Sequence, residues 1–206
     1  MKTALIIAAA PEREIAYIKA LYDTLHYPFV ICADGGMKKA AALGLPVDLM
    51  VGDMDSGGSP ASETVALPTE KDFSDTEACV HAAAERGYTR AVIVGASGGR
   101  LDHMLCNLFL IDLYAQKGVE CTLADAQNLV SRALSGTYSI PAEYRYASII
   151  PLDAQLTGLD LSGVKYPLVG RTVERGSSLT LSNEVIGDRF SISIGSGEAL
   201  LIFSHD

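Results

Sequence analysis

Chemistry first gathers at VGDMDSGG, Val51 to Gly58, where Asp53 and Asp55 stand one residue apart after an apolar run and before a serine and two glycines. Like charges so placed either cap a turn or hold a cation. Three further acids fall at comparable positions: Asp34 in ADGG, Asp75 in SDTEA, and Asp102 just after the glycine turn SGGR at residues 97–100. Each has an ordinary explanation. Asp-Gly-Gly at residues 34–36 is a common turn, an acid in a helix's first turn complements the macrodipole, and Arg100 suits a solvated loop. Taken together, Asp34, Asp53, Asp55 and Asp75 on one rim would repel one another. A hard dication removes that conflict, and Mg²⁺ favours a few carboxylates together with phosphate oxygens and water. The turn SGGR suits phosphate, because Gly98 and Gly99 let backbone N–H groups approach an anion and the next helix offers its positive end. Arg100 adds a charge-assisted contact. No G-x-x-x-x-G-K-[ST] loop occurs, so a Walker-type phosphate cradle is absent.

Such residues must be carried by strands that end together. TALIIAA is a continuous apolar run, as in a strand covered on both faces, and residues 12–25 suit a helix with Pro11 at its first turn. Phe29–Ala33 reads as a second strand, MKKAAALG as a short helix stopped by Gly44, VDLMVGD as a third strand and TVALP as a fourth. Ser74 with Glu77 forms a capping box, opening a helix that Gly87 closes. AVIVGA, then a long helix through LDHMLCNLFLIDLYAQKG, then VECTLAD complete the alternation expected of an open, mostly parallel α/β sheet. In such sheets ligands bind beyond the carboxyl ends of the strands, where the candidate residues of this half fall. After about Asn128 the texture changes to short strand-like runs (NLVSRAL, GTYSI, YASIIPL, LTGLDLSG, SLTLSNEV, RFSISIG, EALLIFS), which predict an all-β sandwich. The expected division is an α/β domain over residues 1–127 and a β-sandwich domain over 128–206.

Composition narrows the class of function. The 206 residues are 49% hydrophobic and 20% charged, with a formal net charge of −9. That balance argues against non-specific binding to nucleic acid or to an anionic membrane, which needs a basic footprint, and it fits a metal or cationic substrate. The four cysteines lack C-x-x-C spacing and read as buried thiols of a cytoplasmic protein. MKTALIIAAAP is too short for a leader peptide and reads as the first strand.

In their order and spacing, ADGG, VGDMDS, PTEKDFSDTEA and GASGGRLDH resemble the thiamine pyrophosphokinases, and KYPL (Lys165–Leu168) with LSNE (Leu181–Glu184) resemble that family's second domain. The resemblance spans nearly the whole chain. It implies transfer of the β,γ-pyrophosphoryl unit of ATP to the hydroxyl of thiamine, giving thiamine diphosphate and AMP, in a homodimer with sites between subunits. It further implies that Asp34, Asp53, Asp55 and Asp75 surround Mg²⁺ and the phosphates, with Gly35, Gly98, Gly99, Arg100 and Lys71 on the ATP side. Asp102, Ser182 and Asn183 would meet thiamine. Lys71 matches a position that is not lysine throughout the family. The tryptophan often found against thiamine in eukaryotic members has no counterpart, since the chain has no Trp.

Two rival readings remain open on sequence alone. Asp-x-Asp also suits the paired acids of a phosphohydrolase, although GGRLDH, SNE and the second domain are then unexplained. A non-catalytic sensor of thiamine or nucleotide could use the same scaffold. His26, His81 and His205 lack metal-ligand spacing and read as structural, and His103 as a packing or hydrogen-bonding residue. Tyr144, Tyr146 and Tyr166 suit half-buried strand positions or an aromatic surface.

Overall fold

A computed structural model describes residues 2–52, 61–68, 72–141 and 143–206, and the chain divides into compact units over residues 1–126 and 127–206. The first unit runs β1 (Thr3–Ile7), α1 (Ala16–Thr24), β2 (Phe29–Ala33), α2 (Gly36–Ala42), β3 (Leu49–Gly52), β4 (Glu63–Ala66), α3 (Asp75–Glu85), β5 (Arg90–Val94), α4 (Leu101–Ala115) and β6 (Glu120–Ala124). Its strands lie in the order β6-β5-β1-β2-β3-β4, every pair parallel. The central strands are apolar throughout: Ala4–Ile7, Val30–Cys32 and Ala91–Val94 are all at most 3% exposed. Helices α2 and α3 pack on β1 and β2, and α4 packs on β6. The chain builds outward from β1 to β4, then returns to place β5 on β1's other side. Strand order therefore reverses between β1 and β5, and a crevice opens at such a point.

Helix α1 starts later than its sequence pattern suggests. Glu12 N–H donates to the Ala10 carbonyl at 2.9 Å, and the Glu12 carboxylate accepts from Tyr17 Oη at 2.7 Å and from Ser97 Oγ at 3.1 Å. Those bonds hold residues 11–15 in a loop, so Pro11 lies outside the helix. At α2 the expected stop holds: Gly44 takes φ +62°, with Gly44 N–H on Ala41 O and Leu45 N–H on Ala40 O, a Schellman closure. Helix α3 begins on Ser74, whose side chain accepts from Glu77 N–H at 3.1 Å.

The second unit contains β7 (Asn128–Arg132), β8 (Gly136–Ser139), β9 (Tyr146–Pro151), β10 (Gln155–Ser162), β11 (Leu168–Glu174), β12 (Asn183–Glu184), β13 (Arg189–Ser193) and β14 (Ala199–Ser204). They form two antiparallel groups, β12-β9-β14-β7 and β11-β10-β13-β8. Alternate residues of each group, including Ile149, Leu201 and Phe203 from one and Leu156, Leu159, Phe190 and Ile192 from the other, fill a common core. That is a sandwich. Of SLTLSNEV only Asn183 and Glu184 pair as a strand, because Ser182 turns the chain at φ +49°.

Cysteines 32, 79 and 121 are buried, and burial raises their thiols, Cys32 and Cys121 to about 12. Cys106 departs from the expected burial: it is exposed on α4. That helix is apolar beyond its packed face, with Leu101, Leu105, Phe109 and Leu113 also exposed. Among the described residues no helix is long and apolar enough to cross a membrane.

Candidate active site

A cavity of about 780 Å³ opens at the carboxyl ends of β1, β2 and β5. Its walls come from Ala8–Pro11 after β1, Asp34 and Gly35 after β2, Phe73–Thr76 at the start of α3, and Ala96 and Gly98–Arg100 after β5. His103 and Asn107 of α4 complete it. This is the strand-order reversal described above, so topology and cavity agree.

Asp34, Gly35, Asp75, Gly98, Gly99 and Arg100 are thus brought together. Asp34 is 7% exposed, and its Oδ1 is buried without a hydrogen-bond partner among the described residues. A carboxylate oxygen withdrawn from water is costly to leave without a partner. Asp75, first residue of α3, presents a second acid to the same cavity, with Oδ1 also buried. Gly52 packs directly on Asp34: a Cβ there would lie 2.6 Å from the aspartate Cβ, and Asp34 N–H donates to Val51 O at 3.2 Å. Asp53 and Asp55 follow Gly52 in sequence, and they and Lys71 lie outside the described residues. Among the described residues no three His, Cys, Asp or Glu side chains group closely enough to hold a metal ion.

The turn after β5 is built by conformation. Gly98 and Gly99 take φ +81° and +68°, a region that other residues enter only with strain. A Cβ on Gly99 would also meet the Pro11 ring at 2.8 Å. Arg100 N-caps α4 without a side-chain cap bond. Its guanidinium instead grips Asp102, Nε to Oδ1 at 3.1 Å and Nη2 to Oδ2 at 2.6 Å. The Arg100 hydrogen bonds, joined by His103 N–H on Oδ1, lower the Asp102 carboxyl to about 2. Asp102 itself stays exposed and does not line the cavity.

Ser182 and Asn183 belong to the second unit. Ser182 is exposed, and its N–H donates to Ser148 Oγ at 2.9 Å. Asn183 is 3% exposed and spends its amide on the backbone of Tyr166: Oδ1 accepts from Tyr166 N–H at 3.0 Å, and Nδ2 donates to Tyr166 O at 2.8 Å. Tyr166, whose backbone is thus held, is 62% exposed.

Residue patterns did not single out the Ala8–Pro11 loop, Phe73, Thr76 or Asn107. For Asn107 a signal existed. It follows His103 by four residues in a largely apolar helix, which places both on one face, and its Nδ2 donates to Ala96 O at 3.0 Å beneath the glycine turn.

Residues 24–123 match the family described as thiamin pyrophosphokinase, catalytic domain, and residues 137–200 match thiamin pyrophosphokinase, vitamin B1 binding domain. The thiamine pyrophosphokinase of Bacillus subtilis (strain 168) is 31% identical over 217 residues, covering 100% of both chains. The chain belongs to the thiamin pyrophosphokinase family. It is an enzyme of that class. The crystal structure of the Bacillus subtilis enzyme superposes with a TM-score of 0.89 at 30% identity over 100% of each chain. The thiamin pyrophosphokinase of Geobacillus thermodenitrificans gives 0.83 at 30% identity, covering 99% of this chain and 98% of its own.

Proposed function

We propose that this thiamine pyrophosphokinase uses ATP as donor at the cavity of the α/β unit, with Asp34, Asp53, Asp55 and Asp75 around Mg²⁺ and the phosphates. The observation that carries the reading is the buried Asp34 Oδ1, without a partner among the described residues, in one cavity with Asp75 and the Gly98–Gly99 turn. Acid and amide donors side by side suit a metal-bound polyphosphate better than either component alone. Hard carboxylate oxygens are the donors Mg²⁺ prefers, and when bound it neutralises charge on the phosphates.

In the reaction the thiamine hydroxyl oxygen bonds to the β-phosphorus of ATP. The bond from that phosphorus to the oxygen bridging the α-phosphate breaks, AMP leaves with the bridging oxygen, and the hydroxyl proton is released to solvent. Transfers of this kind depend on positioning and charge compensation. The glycine-turn amides and Arg100 hold the phosphates in line, and apolar Phe73 and Ala8–Ala10 limit water. Asp102 accepts from the aminopyrimidine amine of thiamine. Binding both substrates therefore exchanges the Arg100–Asp102 ion pair for one contact with phosphate and one with thiamine. Lys71 belongs to the ATP side. A net charge of −9 also suits an acceptor bearing a permanent thiazolium cation.

The sandwich unit, matched to a vitamin B1 binding domain, contributes Ser182 and Asn183 to thiamine. Asn183 acts there by fixing Tyr166, whose exposed ring offers an aromatic face. The enzyme is a homodimer, a reading supported by the exposed apolar stripe Leu101, Leu105, Phe109 and Leu113 on α4. Residence in a reducing cytoplasm fits the free cysteines.

The test is a coupled assay with ATP, thiamine and Mg²⁺. AMP formed in step with thiamine diphosphate is the expected result. Phosphate release that ignores thiamine would instead mark a phosphohydrolase, and tight thiamine binding without turnover a sensor.

A further inference from the structure

The ammonium group of Lys39, in the last turn of α2, reaches beneath the cavity and donates to three backbone carbonyls: Ala8 at 3.0 Å, Ala10 at 2.6 Å and Gly95 at 3.2 Å. An ammonium has three hydrogens to give, and here three acceptors take them. The carbonyls belong to two loops, one after β1 and one after β5, on either side of the strand-order reversal. Both loops line the cavity. The lysine is also partly desolvated, which lowers its pKa, while Glu12 nearby opposes that shift. Partial desolvation of the cation has a cost, which the three hydrogen bonds offset. What they join is two loops of the cavity wall.

The peptides here are trans. A planar trans peptide points its N–H opposite to its C=O. With the Ala8 and Gly95 carbonyls drawn down onto Lys39, the N–H groups of Ala9 and Ala96 face away from it, and both residues line the cavity. Gly95 shows how close the fit is. It sits at φ +66°, and a Cβ there would fall 2.6 Å from both Lys39 Nζ and Ala8 O. A second stitch runs alongside: Glu12, in the first loop's continuation, accepts from Ser97 Oγ and from Tyr17 Oη, and Tyr17 Oη in turn accepts from Gly95 N–H at 3.1 Å.

We infer that Lys39 is a positioning residue for the donor nucleotide. It locks the two loops together so that their amides meet the polyphosphate, and it does so without touching the phosphate. The inference rests on the cavity being the ATP site and deepens that reading. It predicts damage confined to the nucleotide side of the reaction. A role in stability alone would lower the amount of folded protein, and so the apparent kcat, with both KM values and the tripolyphosphate affinity unchanged.

The test uses the full chain and the variants Lys39→Met and Lys39→Arg. Affinity for inorganic tripolyphosphate is measured by calorimetry, and KM for ATP and for thiamine by steady-state kinetics. Tripolyphosphate binding should weaken at least tenfold in Lys39→Met and by less in Lys39→Arg, which keeps the charge but spreads its donors over a planar fork. KM for ATP should rise in the same order, with KM for thiamine within a factor of two of the parent. If Lys39→Met does not fold, the same split in Lys39→Arg decides. Unchanged tripolyphosphate affinity in the variants overturns the inference, as does an equal rise in both KM values. A parent chain that binds tripolyphosphate in a Lys39-dependent way but makes no thiamine diphosphate would leave the clamp standing and overturn the assigned reaction.

Discussion

Replacing Asp34 by Asn should make the ligand-free protein more stable and the enzyme nearly inactive. The side chain is 7% exposed, with Oδ1 buried and unsatisfied among the described residues, and Asp75 brings a second acid to the same cavity. An unmade hydrogen bond at a buried polar atom costs about 1–3 kcal/mol. Asn keeps the shape and removes the charge from the acid-lined cavity, but its own amide still needs partners. The gain is therefore set at the low end, about 1 kcal/mol, or roughly 2–4 °C in Tm for a chain of this size. Ligand reverses the order. A nucleotide–metal complex at a hundred times its Kd stabilises the parent by about 2.7 kcal/mol, and each tenfold loss of affinity in Asp34→Asn removes about 1.4 kcal/mol of that. Differential scanning fluorimetry with and without Mg²⁺ and ATP, beside the coupled assay, reads both signs. A variant that melts lower than the parent without ligand, yet keeps the full ligand-induced shift, would show that Asp34 is a structural acid and would refute the reasoning.

The other expectations are simpler. Asp53→Asn should lower turnover by about 10²–10³-fold, the scale for loss of one preorganised electrostatic group, with an unchanged circular dichroism spectrum; near-normal turnover would remove Asp53 from the mechanism. Ser74→Ala, by removing the bond to Glu77 N–H, should cost about 1 kcal/mol in urea denaturation, and KM for ATP should rise because the same turn carries Asp75. The Asp102 carboxyl is held at about 2, below its usual 3.8, by Arg100. Its contribution to stability is then present above about pH 4 and fades as pH falls toward 2. In Arg100→Met the carboxyl resonance of Asp102, followed by NMR, should titrate closer to 3.8; an unmoved titration would mean that His103 N–H alone sets it.

Much of the fold was legible because its signals are local. Continuous apolar runs at Thr3–Ala9 and Ala91–Ala96 leave no polar face for water, and their shortness and flanking turn residues favour strands covered on both sides. The Ser74–Glu77 pair marks a helix start wherever it falls. The misreadings also have physical causes. Pro11 is a good first-turn residue, yet Glu12 finds better partners in Tyr17 and Ser97, a contact 85 residues away in sequence that no local pattern can express. Cys106 reads as buried because its neighbours are apolar, but α4 carries more apolar surface than its packed face uses.

For the site, residue type pointed to the acids and the glycine turn, because few other uses explain them together. It did not point to Ala8–Pro11 or Lys39, and the reason is topological. An alanine-rich loop looks inert, and a lysine in a short helix looks solvated, until β5 is known to return beside β1. Only that return makes the Ala8 and Gly95 carbonyls neighbours and gives one ammonium group both to hold. On the proposed reading, the acids set which ligand is wanted and the long-range crossing sets where its phosphates rest. Substitutions at the acids should therefore act on chemistry and metal affinity, whereas substitutions at the crossing should act on nucleotide affinity.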